Sequence, residues 1–387
     1  MLYINYGGEF IMTTFNMVHT SDLHLGSLFS STPEVAELRK QEQIDTLKQI
    51  LDLCTANKAD ALLIAGDMFD SMRVESAFLE QVKLLISHYN LRVFITPGRH
   101  DPATPDSCYN TEWPQNVHVF RGGMEKVEIP EKNTCVWGAG FTRTQCEESL
   151  LKNFNPINSR INILMLYGEL FDGTSTDSTC NPIDVEDIKN CGADYVALGS
   201  SHTYQYYENN ELLYCYSGMP SACGFDEPGE KGVLCGYAAK GFARMTFTPL
   251  DGRVYSKEKI DINGCAEPKQ FADRIISVLR DRYGEKYSYN LYDISLIGTP
   301  FEGVIPPVPE IKRLLSESSI FYARLTDVTS PTVDFELLMN DGSLKGAFVR
   351  KLFEKKQSDS RGGDKYMRAL LYGLSAFEGN VKIDEDY

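Results

Sequence analysis

The sequence predicts an α/β fold in which two sheets pack face to face, with helices on both outer faces, a small α+β unit after them and a helical C-terminal tail. Three observations carry this. Apolar runs of strand length alternate with helical patterns from Phe15 to Thr96, as in a parallel sheet covered on both faces. After about residue 190 the apolar runs crowd together and helical patterns thin out, which points to a second sheet with antiparallel later strands. Five polar blocks each follow or end a strand, where the loops of open α/β sheets gather their ligands.

Residues 1–13 fit no element and read as an N-terminal extension, with Met12 and Met17 as further candidate starts. Phe15 to Thr20 is a buried strand. Pro33 to Asn57 is a helix: Val35, Leu38, Ile44, Leu47, Ile50, Leu51 and Cys54 share one face, and Pro33 suits the first turn after Ser31 or Thr32 as cap. Ala61 to Ala65 is the second strand, Ser76 to Tyr89 the second helix, and Arg92 to Thr96 the third strand. Further strands are expected at 117–120, 134–138, 162–166, 195–198, 212–216, 232–239 and 242–249. Residues 14–256 are then the main domain, followed by a polar linker near Ser256 to Glu267. Residues 257–334 make the α+β unit, with helices at 267–283 and 308–316 and strands at 289–297 and 320–327. Residues 335–387 are the tail, helical at Leu344–Phe353 and Lys365–Phe377, with the breaker-rich joint Gln357–Asp364 between them.

The chain has 387 residues, 42% hydrophobic and 24% charged, which is ordinary for a globular protein large enough for two domains. No stretch reaches the roughly 18 uninterrupted apolar residues of a membrane span. The first residues lack a basic n-region and a small-residue cleavage site, so no signal peptide is expected. The ten cysteines show neither paired nor metal-ribbon spacing, and Cys135 and Cys215 read as buried thiols. Together these point to a cytoplasmic chain with no membrane partner. The net charge of −16 counts against strong nucleic-acid binding by this chain alone, because such binding rests on Lys and Arg neutralising phosphates. The late cluster Lys351, Lys355, Lys356, Arg361, Lys365 and Arg368 reads as a solvated helix face.

The five blocks are Ser21-Asp22-Leu23-His24, Gly66-Asp67-Met68-Phe69-Asp70, Gly98-Arg99-His100-Asp101, Leu166-Tyr167-Gly168 and Gly199-Ser200-Ser201-His202. Asp22 and His24, one residue apart, can offer a carboxylate and an imidazole to one ion. That donor set suits Mn, Fe or Zn better than Mg or Ca. His19, His88 and His118 have no ligand spacing to another block and read as packing residues, as do Tyr204, Tyr206 and Tyr207.

The strings HTSDLHLG, LLIAGDMFDS, VFITPGRHDP and ALGSSH, in this order, resemble the calcineurin-like metallophosphoesterases, most closely the SbcD/YhaO-type DNA repair nucleases that partner SMC-like ATPases. The resemblance covers about residues 15–250, and more weakly the unit after it as that family's capping domain. It implies a metallophosphoesterase sandwich with exonuclease or phosphodiesterase chemistry on DNA or another phosphodiester. It also implies dimers formed through helices, here 33–57 and 76–89. Carried over residue by residue, one metal is held by Asp22, His24, the shared Asp67 and His202, all present. The second metal's own ligands fall on Arg99, Tyr167 and Ser200, none of which matches the family pattern. The catalytic histidine falls on His100, with Asp101 beside it to hold its other nitrogen.

The pattern therefore implies one divalent ion at most. Arg99 places a fixed positive charge near the vacated position and can bind phosphate, but it cannot acidify a water as a metal does. Three readings stay open: a weak one-metal nuclease or phosphodiesterase, a non-catalytic scaffold or DNA-binding subunit of an SMC-like ATPase complex, and a small-molecule phosphoesterase. Assays on linear DNA and on a chromogenic phosphodiester, beside His100→Ala, separate them.

Overall fold

The computed structural model describes residues 13–173, 178–209, 212–301, 304–329 and 335–358, with short segments at 3–4, 10–11 and between 366 and 377. The N-terminal extension and much of the second tail helix and its joint lie outside the described residues. In chain order the elements are β1 (Phe15–Thr20), α1 (Ala36–Ala56), β2 (Ala61–Ala65), α2 (Ser76–Ser87), β3 (Arg92–Thr96), β4 (Val117–Val119), β5 (Glu125–Ile129), β6 (Thr134–Ala139) and β7 (Ile161–Tyr167). There follow α3 (Val185–Lys189), β8 (Tyr195–Gly199), β9 (Gln205–Asn209), β10 (Leu212–Tyr216), β11 (Gly232–Ala239), β12 (Phe242–Pro249) and β13 (Tyr255–Asp261). The last are α4 (Pro268–Tyr283), β14 (Leu291–Ile297), α5 (Val308–Glu317), β15 (Tyr322–Asp327), α6 (Phe335–Asn340) and α7 (Leu344–Ser358).

Two six-stranded sheets form the expected sandwich. The first has the order β12-β11-β1-β2-β3-β4, with β1 to β4 parallel and β11 antiparallel to both of its neighbours. The second has the order β9-β10-β8-β7-β6-β5. Its four central strands are parallel, and only the edge strands β5 and β9 run against them. The expectation of antiparallel later strands is thus corrected for β10. The hairpin places β9, not β10, in the reversed direction.

Alternation along β1 to β3 explains the layers, because successive side chains point to opposite faces. Val18, Leu62, Ile64, Val93 and Ile95 pack under α1 and α2 against Leu47, Ile50, Leu51, Val82 and Ile86. Met17, Leu63, Ala65 and Phe94 turn inward to meet Ile163, Met165 and Ala197 of the second sheet. That sheet's outer face buries Leu164, Leu166, Val196 and Leu198 beneath Leu151, Ile183 and Ile188, which come from a 3-10 turn and the short α3 region. Each such fully buried aliphatic side chain contributes about 1.5–3 kcal/mol of transfer free energy.

Three details differ from the sequence expectation. Helix α1 is preceded by a 3-10 turn at Pro33–Val35, and Thr32 makes no side-chain cap; its hydroxyl lies 3.4 Å from that of Tyr255. The charged strand β5 and polar β9 lacked an apolar run, as edge strands often do. The polar stretch taken for a linker holds β13, in which Lys257 and Lys259 face solvent while Tyr255, Glu258 and Ile260 are buried. Glu258 tolerates burial because Ser256 and Tyr283 donate hydroxyl hydrogen bonds to it.

The chain divides into two compact units. One comprises residues 1–258, 283–294 and 319–324, and holds both six-stranded sheets. The other comprises 259–282, 295–318 and 325–387, where α4 buries Phe271, Ala272, Ile275 and Leu279 and α5 buries Ile311 and Leu315. Strands β13, β14 and β15 form a three-stranded sheet in the order β13-β14-β15. No helix among the described residues is long and apolar enough to cross a membrane.

Candidate metal centre

The loop after β1 is sewn to the loop after β2 through the backbone. Asp22 N donates to Gly66 O (3.0 Å), His24 N to Asp67 O (3.1 Å) and Leu25 N to Met68 O (2.9 Å). Asp22, His24, Asp67 and Ser200 all have positive φ, at 51°, 45°, 46° and 104°. Non-glycine residues rarely take this conformation, and such strain gathers where side chains must be aimed. Gly199 lets the two sheets approach at this edge: a Cβ there would sit 1.6 Å from Ala65 O. Gly98 does the same for the third loop, where a Cβ would lie 2.3 Å from Asp67 Oδ1.

One carboxylate and two imidazoles converge. Ligand atoms of Asp22, His24 and His202 lie within 4.8 Å of one another, and His202 Nε2 is 4.0 Å from Asp22 Oδ1. The blocks therefore meet on one edge, as the strand–loop placement required. Asp22 Oδ1 and His24 Nε2 are buried and have no hydrogen-bond partner among the described residues. The other atoms of these residues are engaged. Asp22 Oδ2 accepts from Ser21 Oγ (2.5 Å) and Ser200 N (3.2 Å), and His24 Nδ1 pairs with Asp70 Oδ1 (3.0 Å). His202 Nδ1 pairs with Glu227 Oε1 (2.6 Å). Burying an unpaired carboxylate oxygen is costly, so open valencies converging here fit a divalent cation held by oxygen and imidazole donors.

Asp67 is placed differently. Its Oδ1 accepts from His100 N (2.8 Å) and its Oδ2 from the Tyr167 hydroxyl (2.6 Å). Tyr167 stands edge-on to Phe141, with ring centroids 5.3 Å apart, and packs with Cys180, whose Sγ is 3.6 Å from Ser200 Oγ. Arg99 is exposed, and its charge is felt at His100 and Cys180. Tyr167 thus closes on Asp67 and Ser200 on Cys180, while Arg99 stands at the surface.

The electrostatics follow from burial. Desolvation raises the carboxyl pKa of Asp22, Asp67 and Asp101, and for Asp67 the neighbouring Asp101 and Asp22 charges add to it. Burial opposes protonation of His24, but the Asp70 hydrogen bond and the charges of Asp67, Asp22 and Asp70 outweigh it and raise its pKa to about 9. Burial, then the charge of His24, lowers the pKa of His100. Buried carboxylates that repel one another are the setting a cation relieves.

One expectation is corrected. Asp101 accepts from Phe69 N (3.0 Å), Gly98 N (2.7 Å) and the Tyr109 hydroxyl (2.5 Å), not from the ring of His100. It lies fully buried beneath the loop and braces it. The His100 ring is instead turned toward His24, 4.9 Å between centroids, and its ligand atom groups with those of His24 and Asp70. His19 is buried against the Tyr195 hydroxyl (2.7 Å), and its pKa is lowered to about 3 by burial. Sequence reading missed Glu227. Its one signal is a carboxylate among the glycines of Gly224–Gly229, which no spacing ties to His202.

Residues 15–204 match the family described as calcineurin-like phosphoesterase. The chain carries a calcineurin-like metallophosphoesterase domain. It is 27% identical over 269 residues to the uncharacterized metallophosphoesterase YhaO of Bacillus subtilis, covering 65% of this chain and 64% of that protein. It is 24% identical to SbcD, a component of the nuclease SbcCD of the same organism, over 55% of this chain and 63% of that one. It is 23% identical to the DNA double-strand break repair protein Mre11 of Aeropyrum pernix, over 52% and 53%. The match spans less than two thirds of each of these relatives. In this phosphoesterase domain the matched residues include every loop of the centre except that of Glu227.

Proposed function

We propose that this chain is a phosphoesterase of the SbcD/YhaO type with one working cation position and one closed one, so that hydrolysis is weak or absent. Asp22, His24 and His202, with Asp67 as fourth ligand, hold one Mn, Fe or Zn ion. The observation that carries this is a contrast. Asp22 Oδ1 and His24 Nε2 are buried without hydrogen-bond partners among the described residues, while Asp67 Oδ2 receives the Tyr167 hydroxyl at 2.6 Å.

When bound, such an ion polarises a phosphoryl oxygen as a Lewis acid. The chain's own residues do the rest. Arg99, exposed next to His100, draws and orients a phosphodiester. His100 faces the leaving oxygen, and a neutral imidazole there offers a weaker proton than an imidazolium. Tyr167, Ser200 and Cys180 occupy the region where a second cation would share the developing charge, and none of them replaces that charge. Weak hydrolysis leaves room for a binding role. The substrate is DNA or another phosphodiester, and the partners are a second copy through α1 and α2 and an SMC-like ATPase docking after residue 258.

The test is elemental analysis of protein purified without chelator, with Mn²⁺-dependent hydrolysis of linear DNA and of a chromogenic phosphodiester. One ion per chain or fewer and slow turnover are expected. Brisk degradation of DNA that His100→Ala abolishes would overturn the reading.

A further inference from the structure

The two histidines of the centre are held alike. His24 turns Nδ1 to Asp70 (3.0 Å) and His202 turns Nδ1 to Glu227 (2.6 Å), so both present Nε2 inward. Asp70 belongs to the motif block that also carries Asp67. Glu227 lies 25 residues beyond His202, on a separate loop. That loop is anchored twice: Glu227 Oε2 accepts from Cys223 N (2.8 Å), and the guanidinium of Arg39 donates to Ala222 O (3.1 Å) and Ser221 Oγ (3.4 Å). Arg39 is 1% exposed, a buried cation lying over the rings of Phe29 and Tyr255. One helical turn on, Gln43 grips the other arm: Nε2 donates to His24 O (2.7 Å) and Oε1 accepts from Gly26 N (3.0 Å). Two neighbours on one face of α1 thus reach both ligand-bearing loops.

We propose that Glu227 is the positioning residue for the cation site, fixing the tautomer and direction of His202, and that Arg39 and Gln43 of α1 set the spacing between the His202 arm and the His24 arm. This rests on the reading of Asp22, His24 and His202 as a cation site. A carboxylate on the far nitrogen of a ligand histidine orients the ring and raises its basicity toward the metal. Arg39 also pairs with Glu42 on its own helix, and removing it leaves two acceptors of the 221–227 loop without their guanidinium donor, which lets that loop drift from α1.

The experiment uses the full chain with Glu227→Ala and Glu227→Gln. Two readouts are taken: the ¹⁵N resonances of the His202 imidazole in ion-free protein, which report its tautomer, and Mn²⁺ affinity by calorimetry. In the wild type the proton sits on Nδ1. Glu227→Ala should give a mixture of tautomers and about a ten- to hundredfold loss of Mn²⁺ affinity. Glu227→Gln keeps an acceptor at Nδ1 and should keep the tautomer, with a much smaller loss. If Glu227→Ala fails to fold, Glu227→Asp keeps the charge but withdraws it from Nδ1, and the same readouts apply. Unchanged tautomer and unchanged affinity in the withdrawn variant overturn the proposal. If the wild type binds no Mn²⁺, the cation-site reading falls, while the tautomer of His202 still decides what Glu227 does.

Discussion

The two halves of the centre differ in what their polar atoms lack. On the Asp22 side, one carboxylate oxygen and one imidazole nitrogen are buried without a hydrogen-bond partner among the described residues, while each side chain's other polar atom is fixed by Ser21, Ser200 or Asp70. On the Tyr167 side the polar atoms satisfy one another: Tyr167 donates to Asp67, and Cys180 meets Ser200. An open half awaits a ligand from outside, and a closed half has supplied its own. A hydroxyl that donates to a buried carboxylate oxygen satisfies it as a cation would, without adding charge.

The strongest break of this comparison is removal of an open-half ligand. Asp22→Ala should reduce bound metal from one ion to none by elemental analysis, because a carboxylate and its charge leave together. Two ions per wild-type chain would show that the closed half is not closed. The next is restoration. Arg99→Asn, Tyr167→His and Ser200→His together should admit a second ion and raise Mn²⁺-dependent hydrolysis by at least about tenfold, on the scale of a lost transition-state contact. Any one alone should do little, since the ion stays under-ligated. Equal activity of the triple variant and the wild type would sever the link between the closed half and weak turnover.

The open half was legible in the sequence and the closed half only in outline. Asp22, His24 and His202 were named from the strings around them and the resemblance those strings carry, and their places after strands set which edge they share. Tyr167 could be seen as a missing histidine. That its hydroxyl reaches Asp67 depends on ring direction, which no spacing encodes. Asp101 was misassigned because adjacency suggested the ring of His100, whereas the backbone of that loop turns its carboxylate inward to Phe69 N, Gly98 N and Tyr109. Strand β13 was hidden for a similar reason: its lysines advertise solvent, and its pairing is long-range. Glu227 was invisible because its role is made by tertiary contact alone.

A smaller effect comes from pH. The His24 pKa is raised to about 9 in the folded chain from an ordinary 6.5, so its contribution is fully present below about pH 6.5 and is lost as pH rises through 9. The raised carboxyls of Asp22, Asp67 and Asp101 act in the same direction, since the folded state holds protons that the unfolded chain releases above pH 3.8. The closed half adds nothing between 6.5 and 9: burial holds the Tyr167 hydroxyl far above its usual range and the Cys180 thiol at about 11. Protein in EDTA should therefore lose stability from pH 6.5 to 9, by at most about 3 kcal/mol from His24. Saturating Mn²⁺ should flatten or reverse the trend, because the ion competes with those protons. A melting temperature that is flat over this range in EDTA would mean that the open half is already compensated.

The finest test separates the halves with one atom. Tyr167→Phe removes only the hydroxyl, leaving the ring against Phe141 and Cys180. Asp67 Oδ2 then loses its partner in a buried setting, which costs about 1–3 kcal/mol if no water replaces it. The freed oxygen also makes Asp67 a better ligand for the cation shared with Asp22. Ion-free protein should thus be destabilised in urea unfolding, while Mn²⁺ should restore more stability to Tyr167→Phe than to the wild type. The opposing contribution is relief: the hydroxyl also has to be desolvated to sit there, so part of the cost is returned. Loss of stability without a gain in Mn²⁺ response would make the Tyr167 hydroxyl a packing partner only. No change in either would mean that Asp67 is satisfied by His100 N and solvent, and the contrast between the two halves would rest on Ser200 and Arg99 alone.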